Sequence, residues 1–344
     1  MFWMISNRTL PSKPKSPTPD KLLAEPGPTT YWLNASTDAA NPAQWGLVSA
    51  ADFKNQLVAA AGKFPNIGQD GNFEDQKQIA LLVHGYNNSW EDEADCYKRV
   101  CTSLFSGDAS LGGCVMYDWP SEGAVTDYLP DLAHVRKCAE PLADILSELY
   151  DWMLGQQQAA QQNPARACRA KTSIVAHSMG NYLVELAMQV VWVRKNKPLL
   201  LSLINQLLMV GADVDNDLFK SGEATGLSDG DAIANLTYRL TALYSGLGLV
   251  LGLSAGLKHF GKRRLGRSGI DRTYPVPDNV WDIDCSRIFL ANKGKISNYP
   301  RGVHSAYFEL DETYALMRQL LRGVDRTVLI HDRLAPSPLT LAAA

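Results

Sequence analysis

Short apolar runs alternate with stretches of helical periodicity along most of this chain. Lys77–Val83, Gly113–Asp118, Lys171–Val175, Ile204–Val210, Leu236–Tyr244 and Ser286–Ala291 are brief and largely apolar, and they read as buried strands. Thr30–Leu33 is a candidate first strand. Between the strands, Ala50–Ala61, Ser89–Phe105, Leu132–Leu154, the segment from Asn181 through Met188, and Tyr307–Leu321 carry apolar residues at helical spacing. Strands and helices in alternation predict an α/β protein with a mostly parallel central sheet and helices on both faces. Ligands of such sheets bind at the carboxyl ends of the strands.

The ends of the chain lack this pattern. Residues 1–29 hold six prolines separated by Ser, Lys and Thr, which predicts a flexible arm. A single domain is expected over 30–325 and a tail over 326–344. The glutamine-rich stretch from Gln156 to Asn163 is expected to be a loop.

Composition changes this picture little. With 344 residues, 46% hydrophobic and 20% charged, the chain has ample material for a core. A net charge of −3 gives no reason to expect nucleic acid. The basic cluster Lys262, Arg263, Arg264 and Arg267 reads as a solvated loop. The six cysteines are scattered without a C-x-x-C pair, which fits reduced thiols of a cytoplasmic protein. No secretory signal precedes them. No metal or cofactor is expected: H-E-x-x-H, dinucleotide and P-loop fingerprints are missing, and Cys96 with Cys101 lacks further ligands at zinc spacing.

Leu240–Leu257 runs for eighteen residues without a charge and includes four glycines. Its start alternates like a strand, so a buried strand followed by a glycine-rich apolar loop is the favoured reading, with peripheral membrane contact through 240–257 as the alternative.

Chemistry concentrates at strand ends. Ala176-His177-Ser178-Met179-Gly180 lies between a strand and a helix, the context of a nucleophile elbow. The residues two before and two after the serine must be small, and Ala176 and Gly180 satisfy this. His84-Gly85-Tyr86-Asn87-Asn88 ends the first strong strand, placing the Tyr86 N–H, with that of Met179, as candidate oxyanion donors. Gly85 permits the backbone geometry and His84 braces the loop. The same residues also read as a turn and cap before the helix. His304 follows the last strand and is the candidate base. His134, His259 and His331 are not so placed, and His84 and His177 belong to the loop and the elbow. The acid is expected between Ser178 and His304. Asp213 stands nearest the end of the strand at Val210, with Asp215 and Asp217 behind it; the alternative is an acidic cap for a short helix from Val214 to Lys220.

The blocks from Leu81 to Ser89, Asp118-Trp119-Pro120-Ser121, Ala176 to Asn181, Asp213-Val214-Asp215 and His304-Ser305, in this order over about residues 77 to 321, resemble the alpha/beta hydrolase family once called domain of unknown function 900. The resemblance implies an α/β-hydrolase fold and a serine hydrolase, without a well-established substrate. Many members carry an Asn-Asp pair after the penultimate strand, whereas Tyr244–Leu249 holds no carboxylate. Either the acid has moved to Asp213 or the triad is incomplete. Two functions follow: hydrolysis of a small-molecule or lipid-like ester by Ser178, His304 and Asp213, or a catalytically impaired hydrolase fold acting as a binding or membrane-associated module.

Overall fold

The computed structural model describes residues 1–12, 17–65, 72–86, 88–121, 128–163, 170–194, 202–222, 228–252 and 261–331. Among them nine strands form one sheet: β1 (Phe2–Thr9), β2 (Leu23–Asn34), β3 (Trp45–Val48), β4 (Gln78–Val83), β5 (Gly112–Asp118), β6 (Lys171–His177), β7 (Ile204–Val210), β8 (Thr237–Tyr244) and β9 (Val280–Asp284). Their order is β3-β2-β1-β5-β4-β6-β7-β8-β9. From β1 to β9 the neighbours are parallel, and only β2 and β3 add antiparallel at one edge. This is the mostly parallel sheet that the alternating pattern predicts, and it agrees with the hydrolase fold that the resemblance implies.

Parallel strands need helical crossovers, and these bury both faces of the sheet. The continuous apolar runs of β6 and β7 follow from this, because neither strand has a solvent face. Among the described residues five longer helices flank the sheet: α1 (Ala50–Ala61), α2 (Trp90–Leu104), α3 (Tyr128–Gln162), α4 (Gly180–Arg194) and α5 (Asp311–Arg322). Ser89 starts α2 with a capping box, its hydroxyl accepting from Asp92 N–H while the Asp92 carboxylate accepts from Ser89 N–H. The core lies in two layers, one on each face of the sheet.

The expected arm over 1–29 is overturned. Phe2–Thr9 make β1, which sits between β2 and β5, and Leu23 onward opens β2, which contains the expected strand Thr30–Leu33. Trp3 through Arg8 are all buried, so β1 has no polar face to betray it by alternation. Three of those residues are polar and need partners. Ser6 donates to Asp118 Oδ2 at 2.6 Å, and the Arg8 guanidinium reaches Asp118 Oδ1 at 2.6 Å and Glu93 Oε1 at 3.2 Å. Pro26 falls at a register shift opposite Arg8, where the ladder tolerates a missing N–H.

Five further segments differ from expectation. Ser286–Ala291 is a short helix, and the last strand is the alternating segment Val280–Asp284 before it; the Asp284 carboxylate accepts from Ser286 N–H at 2.8 Å and turns the chain. The glutamine-rich stretch continues α3 to Gln162, since glutamine is a good helix former and no proline intervenes there. Residues 214–220 form turns instead of a short helix. The final helix begins at Asp311, preceded by two turns of 3-10 helix, and Arg326–His331 adds a short helix at the start of the expected tail. Of the apolar segment 240–257, the strand is present as β8, and 253–257 lie outside the described residues. No helix among the described residues is long and apolar enough to cross a membrane.

Replacing Arg8 with Met leaves Asp118 buried without its cation. The expected loss is about 3–5 kcal/mol of unfolding free energy, read by urea denaturation; a midpoint equal to that of the parent protein would contradict the role assigned to β1.

Candidate active site

The site forms where β4, β6 and β7 end side by side. Ser178 follows β6 with φ of 50°, a left-handed conformation that costs a non-glycine residue roughly 1–2 kcal/mol. Several hydrogen bonds hold it there. Ser178 N–H donates to Val210 O at 3.0 Å, and Ser178 O accepts from Asp213 N–H at 3.1 Å. The Asn181 side-chain amide donates to both Ser178 O, at 3.1 Å, and Ala176 O, at 3.0 Å. Asn181 thus braces the turn from inside α4, a role that its place in the motif did not reveal. The small residues at the elbow are enforced by contact. A methyl group at Gly180 would lie 2.3 Å from His84 O, and one at Gly85 would lie 2.9 Å from Ser178 Cβ.

This packing brings Ser178 and His304 together. His304 Nε2 lies 2.9 Å from Ser178 Oγ, close enough to accept the hydroxyl proton. Burial pushes the His304 pKa down, the Asp213 charge pulls it back up, and it settles at about 4. The imidazole is therefore neutral at pH 7. His177, the last residue of β6, donates from Nε2 to the His304 carbonyl at 3.0 Å.

Asp213 is held differently from expectation. Its carboxylate accepts from Tyr128 Oη at 2.9 Å and from Arg264 Nε at 2.8 Å, and Arg264 also binds its carbonyl. The structure shows no hydrogen bond between Asp213 and His304; Asp213 acts on the imidazole through charge. Asp215 is engaged by Arg264 and Lys262. Arg264, expected in a solvated loop, is buried in this carboxylate pair.

The loop after β4, which carries the candidate oxyanion donor Tyr86, rests on a buried polar network. The His84 ring stacks on Trp119 with centroids 5.0 Å apart, and its Nε2 accepts from Trp119 N–H at 3.1 Å. That leaves the proton on Nδ1, which lies 2.7 Å from Gly85 O and 2.8 Å from Glu93 Oε1. Burial lowers the His84 pKa to about 3 and so keeps it neutral. Burial and the nearby Asp118 charge raise the Glu93 pKa well above the usual carboxyl range, whereas at Asp118 the opposing effects, led by the Arg8 charge and joined by hydrogen bonds from Arg8 and Ser6, outweigh burial and lower it. His84, Glu93 and Asp118 are close enough to share a metal ion. Arg8 already pairs with both carboxyl groups, so this donor set is built around a guanidinium. The sequence offered no signal for Arg8, which lies in a segment that lacked strand periodicity.

A cavity of about 450 Å³ opens beside these residues. Tyr86, His177 and His304 line it, and Asp92, Asp95, Arg99, Arg301 and Glu309 give it charged walls. The Tyr86 ring packs edge-on against Tyr128 with centroids 5.4 Å apart. The Met179 N–H makes none of the hydrogen bonds that anchor the elbow. Asn87 and His259 lie outside the described residues, and His134 is engaged elsewhere, near Pro120 O.

Residues 65–274 match the family described as alpha/beta hydrolase of unknown function (DUF900). The chain belongs to this family. The match spans the oxyanion loop, the elbow and Asp213, while His304 lies beyond it and takes its place from geometry. No curated protein matches the chain in sequence. Among solved structures, it is similar to Aspergillus fumigatus lipase B at 13% identity and a TM-score of 0.37, with 84% of this chain and 63% of that chain covered. It therefore spans less than two thirds of that lipase. It is also similar to a Pyrobaculum calidifontis esterase at 12% identity and a TM-score of 0.35, with 82% and 94% covered. Carboxyl esterase 2 of Tuber melanosporum matches at 9% identity and a TM-score of 0.34, with 89% and 84% covered.

Replacing Gly180 with Ala forces a methyl group onto the His84 carbonyl. The expected result is a destabilised elbow, with thermal unfolding several degrees lower and loss of any Ser178 reactivity. Both are checked by thermal denaturation and covalent serine labelling; unchanged behaviour would mean the strand and helix do not approach this closely.

Proposed function

We propose that this protein is a serine hydrolase that cleaves a carboxylic ester or related acyl bond. The observation that carries the proposal is the 2.9 Å contact between His304 Nε2 and a serine held at a strained elbow. Ser178 Oγ attacks the acyl carbon while His304 Nε2 takes its proton. The carbonyl oxygen becomes an oxyanion bound by the N–H groups of Tyr86 and Met179. The intermediate collapses, the bond to the leaving alcohol breaks, and the alcohol takes the proton from Nε2. Water then repeats the sequence on the acyl-enzyme. Asp213 favours the imidazolium formed in each half through its charge, without a hydrogen bond to it.

The charged cavity walls favour a small polar ester over a long acyl chain, so acetyl and butyryl esters should turn over faster than dodecanoyl esters. Labelling by a fluorophosphonate probe is expected for the parent protein and abolished by Ser178→Ala. Labelling that persists in the variant, or none at all in the folded parent, would remove the assignment and favour a binding protein.

The pH dependence follows from His304. A base must be unprotonated, and burial places its pKa at about 4. Activity should therefore hold from neutral pH down toward 5 and fall through about pH 4. An acid limb centred near 6.5, the ordinary histidine value, would contradict the buried environment.

A further inference from the structure

His304 poses a problem that the proposed chemistry leaves open. In a serine triad a carboxylate on the second imidazole nitrogen fixes the tautomer and the ring direction. Asp213 is committed to Tyr128 and Arg264 and does not supply that bond. Something else must hold the base against the serine.

The residue placed to do so is His177. Its Nε2 lies 3.0 Å from the His304 carbonyl oxygen, and a carbonyl only accepts, so the proton of the neutral ring sits on Nε2. The two imidazoles pack at 4.8 Å between centroids, tilted by 36°. Phe308 closes the other side, edge-on at 5.3 Å. His177 also packs close to the candidate oxyanion loop, since a methyl group at Gly85 would lie 3.0 Å from His177 Nδ1. One ring therefore contacts the loop of the candidate oxyanion donor and the loop of the candidate base, and it immediately precedes the nucleophile in the chain. Burial, reinforced by His304, lowers the His177 pKa to about 3, so the donor–acceptor arrangement persists across the neutral range.

Resting on the hydrolase reading above, we infer that His177 is a positioning residue, whose Nε2–H bond to the His304 carbonyl and ring contact with its imidazole hold the base in line with Ser178 in place of a carboxylate. It touches no reacting atom. Its effect is on geometry, and a displacement of about 1 Å at such a site is enough to cost on the order of 100-fold in rate.

The test compares His177→Phe, which keeps an aromatic ring but loses the donor, with His177→Gln, which keeps an N–H donor without the ring. The rate and concentration dependence of serine phosphonylation by the fluorophosphonate, with loss of fluoride, are measured for both and for the parent, alongside thermal unfolding. We expect His177→Phe to slow the maximal phosphonylation rate about 10- to 100-fold with the half-saturating probe concentration unchanged, and His177→Gln to restore most of that loss. A merely structural role would lower the unfolding temperature of both variants and give no selective rescue. Equal rates for parent and His177→Phe would overturn the inference, as would a His177→Gln variant as slow as His177→Phe. If His177→Phe does not fold, the parent decides the matter by nitrogen NMR of its histidines. The proton of residue 177 is expected on Nε2 between pH 5 and 8, and its presence on Nδ1 would refute the bond. Failure of the hydrolase reading shows separately, as a folded parent that never labels at Ser178.

Discussion

Everything at this site depends on three strand ends meeting closer than side chains would normally allow. Ser178 is left in a left-handed backbone conformation, and the strain persists because neighbouring groups over-determine it. Val210 takes its N–H, Asp213 and Asn181 take its carbonyl, and the His84 carbonyl fills the space that any side chain at 180 would need. The nucleophile is thereby placed relative to β4 and β7 as well as its own strand. Moving any of the three loops would release the turn.

The same economy explains the buried charges. A guanidinium and two carboxyl groups are expensive to remove from water, and one partner left alone would cost several kcal/mol. Arg8, Asp118, Glu93 and Ser6 satisfy most of one another, and His84 hands the arrangement on to the oxyanion loop through Gly85 O. A peptide plane carries its carbonyl and the next N–H on opposite sides. Fixing Gly85 O therefore fixes the direction of Tyr86 N–H. An internal strand at the start of the chain is in this way coupled to the direction of the Tyr86 N–H beside Ser178.

How far the sequence revealed this depends on which physical signal each residue carries. The elbow was legible because strand, small residues and helix must occur together there, and Ser178 and His304 do meet. The parallel core was legible because buried strands read as unbroken apolar runs. β1 was not, since Ser6, Asn7 and Arg8 look like surface residues until their partners are known, and prolines around it suggest a tether. Ser286–Ala291 was mistaken for a strand because a six-residue apolar run carries no period long enough to separate strand from helix. Arg264 was misplaced for the reason that applies to Arg8: a basic residue declares its exposure only through what pairs with it.

Asp213 shows where chain order stops being a guide to contact. It follows β7 as the order Ser-Asp-His requires, and its backbone N–H binds the nucleophile's own carbonyl. Its carboxylate, however, is the anchor for Arg264 and Tyr128, which tie the segments at 264 and 128 to the elbow. A carboxylate already carrying two strong donors stabilises an imidazolium less than one pointed at it. On the proposed hydrolase reading, His304, low in pKa and with no carboxylate on its second nitrogen among the described residues, would be a weak base whose position is its main asset. That reading puts the burden of catalysis on the rigidity of the elbow and of the loop after β4, the two features that the buried network and the strained serine hold most firmly.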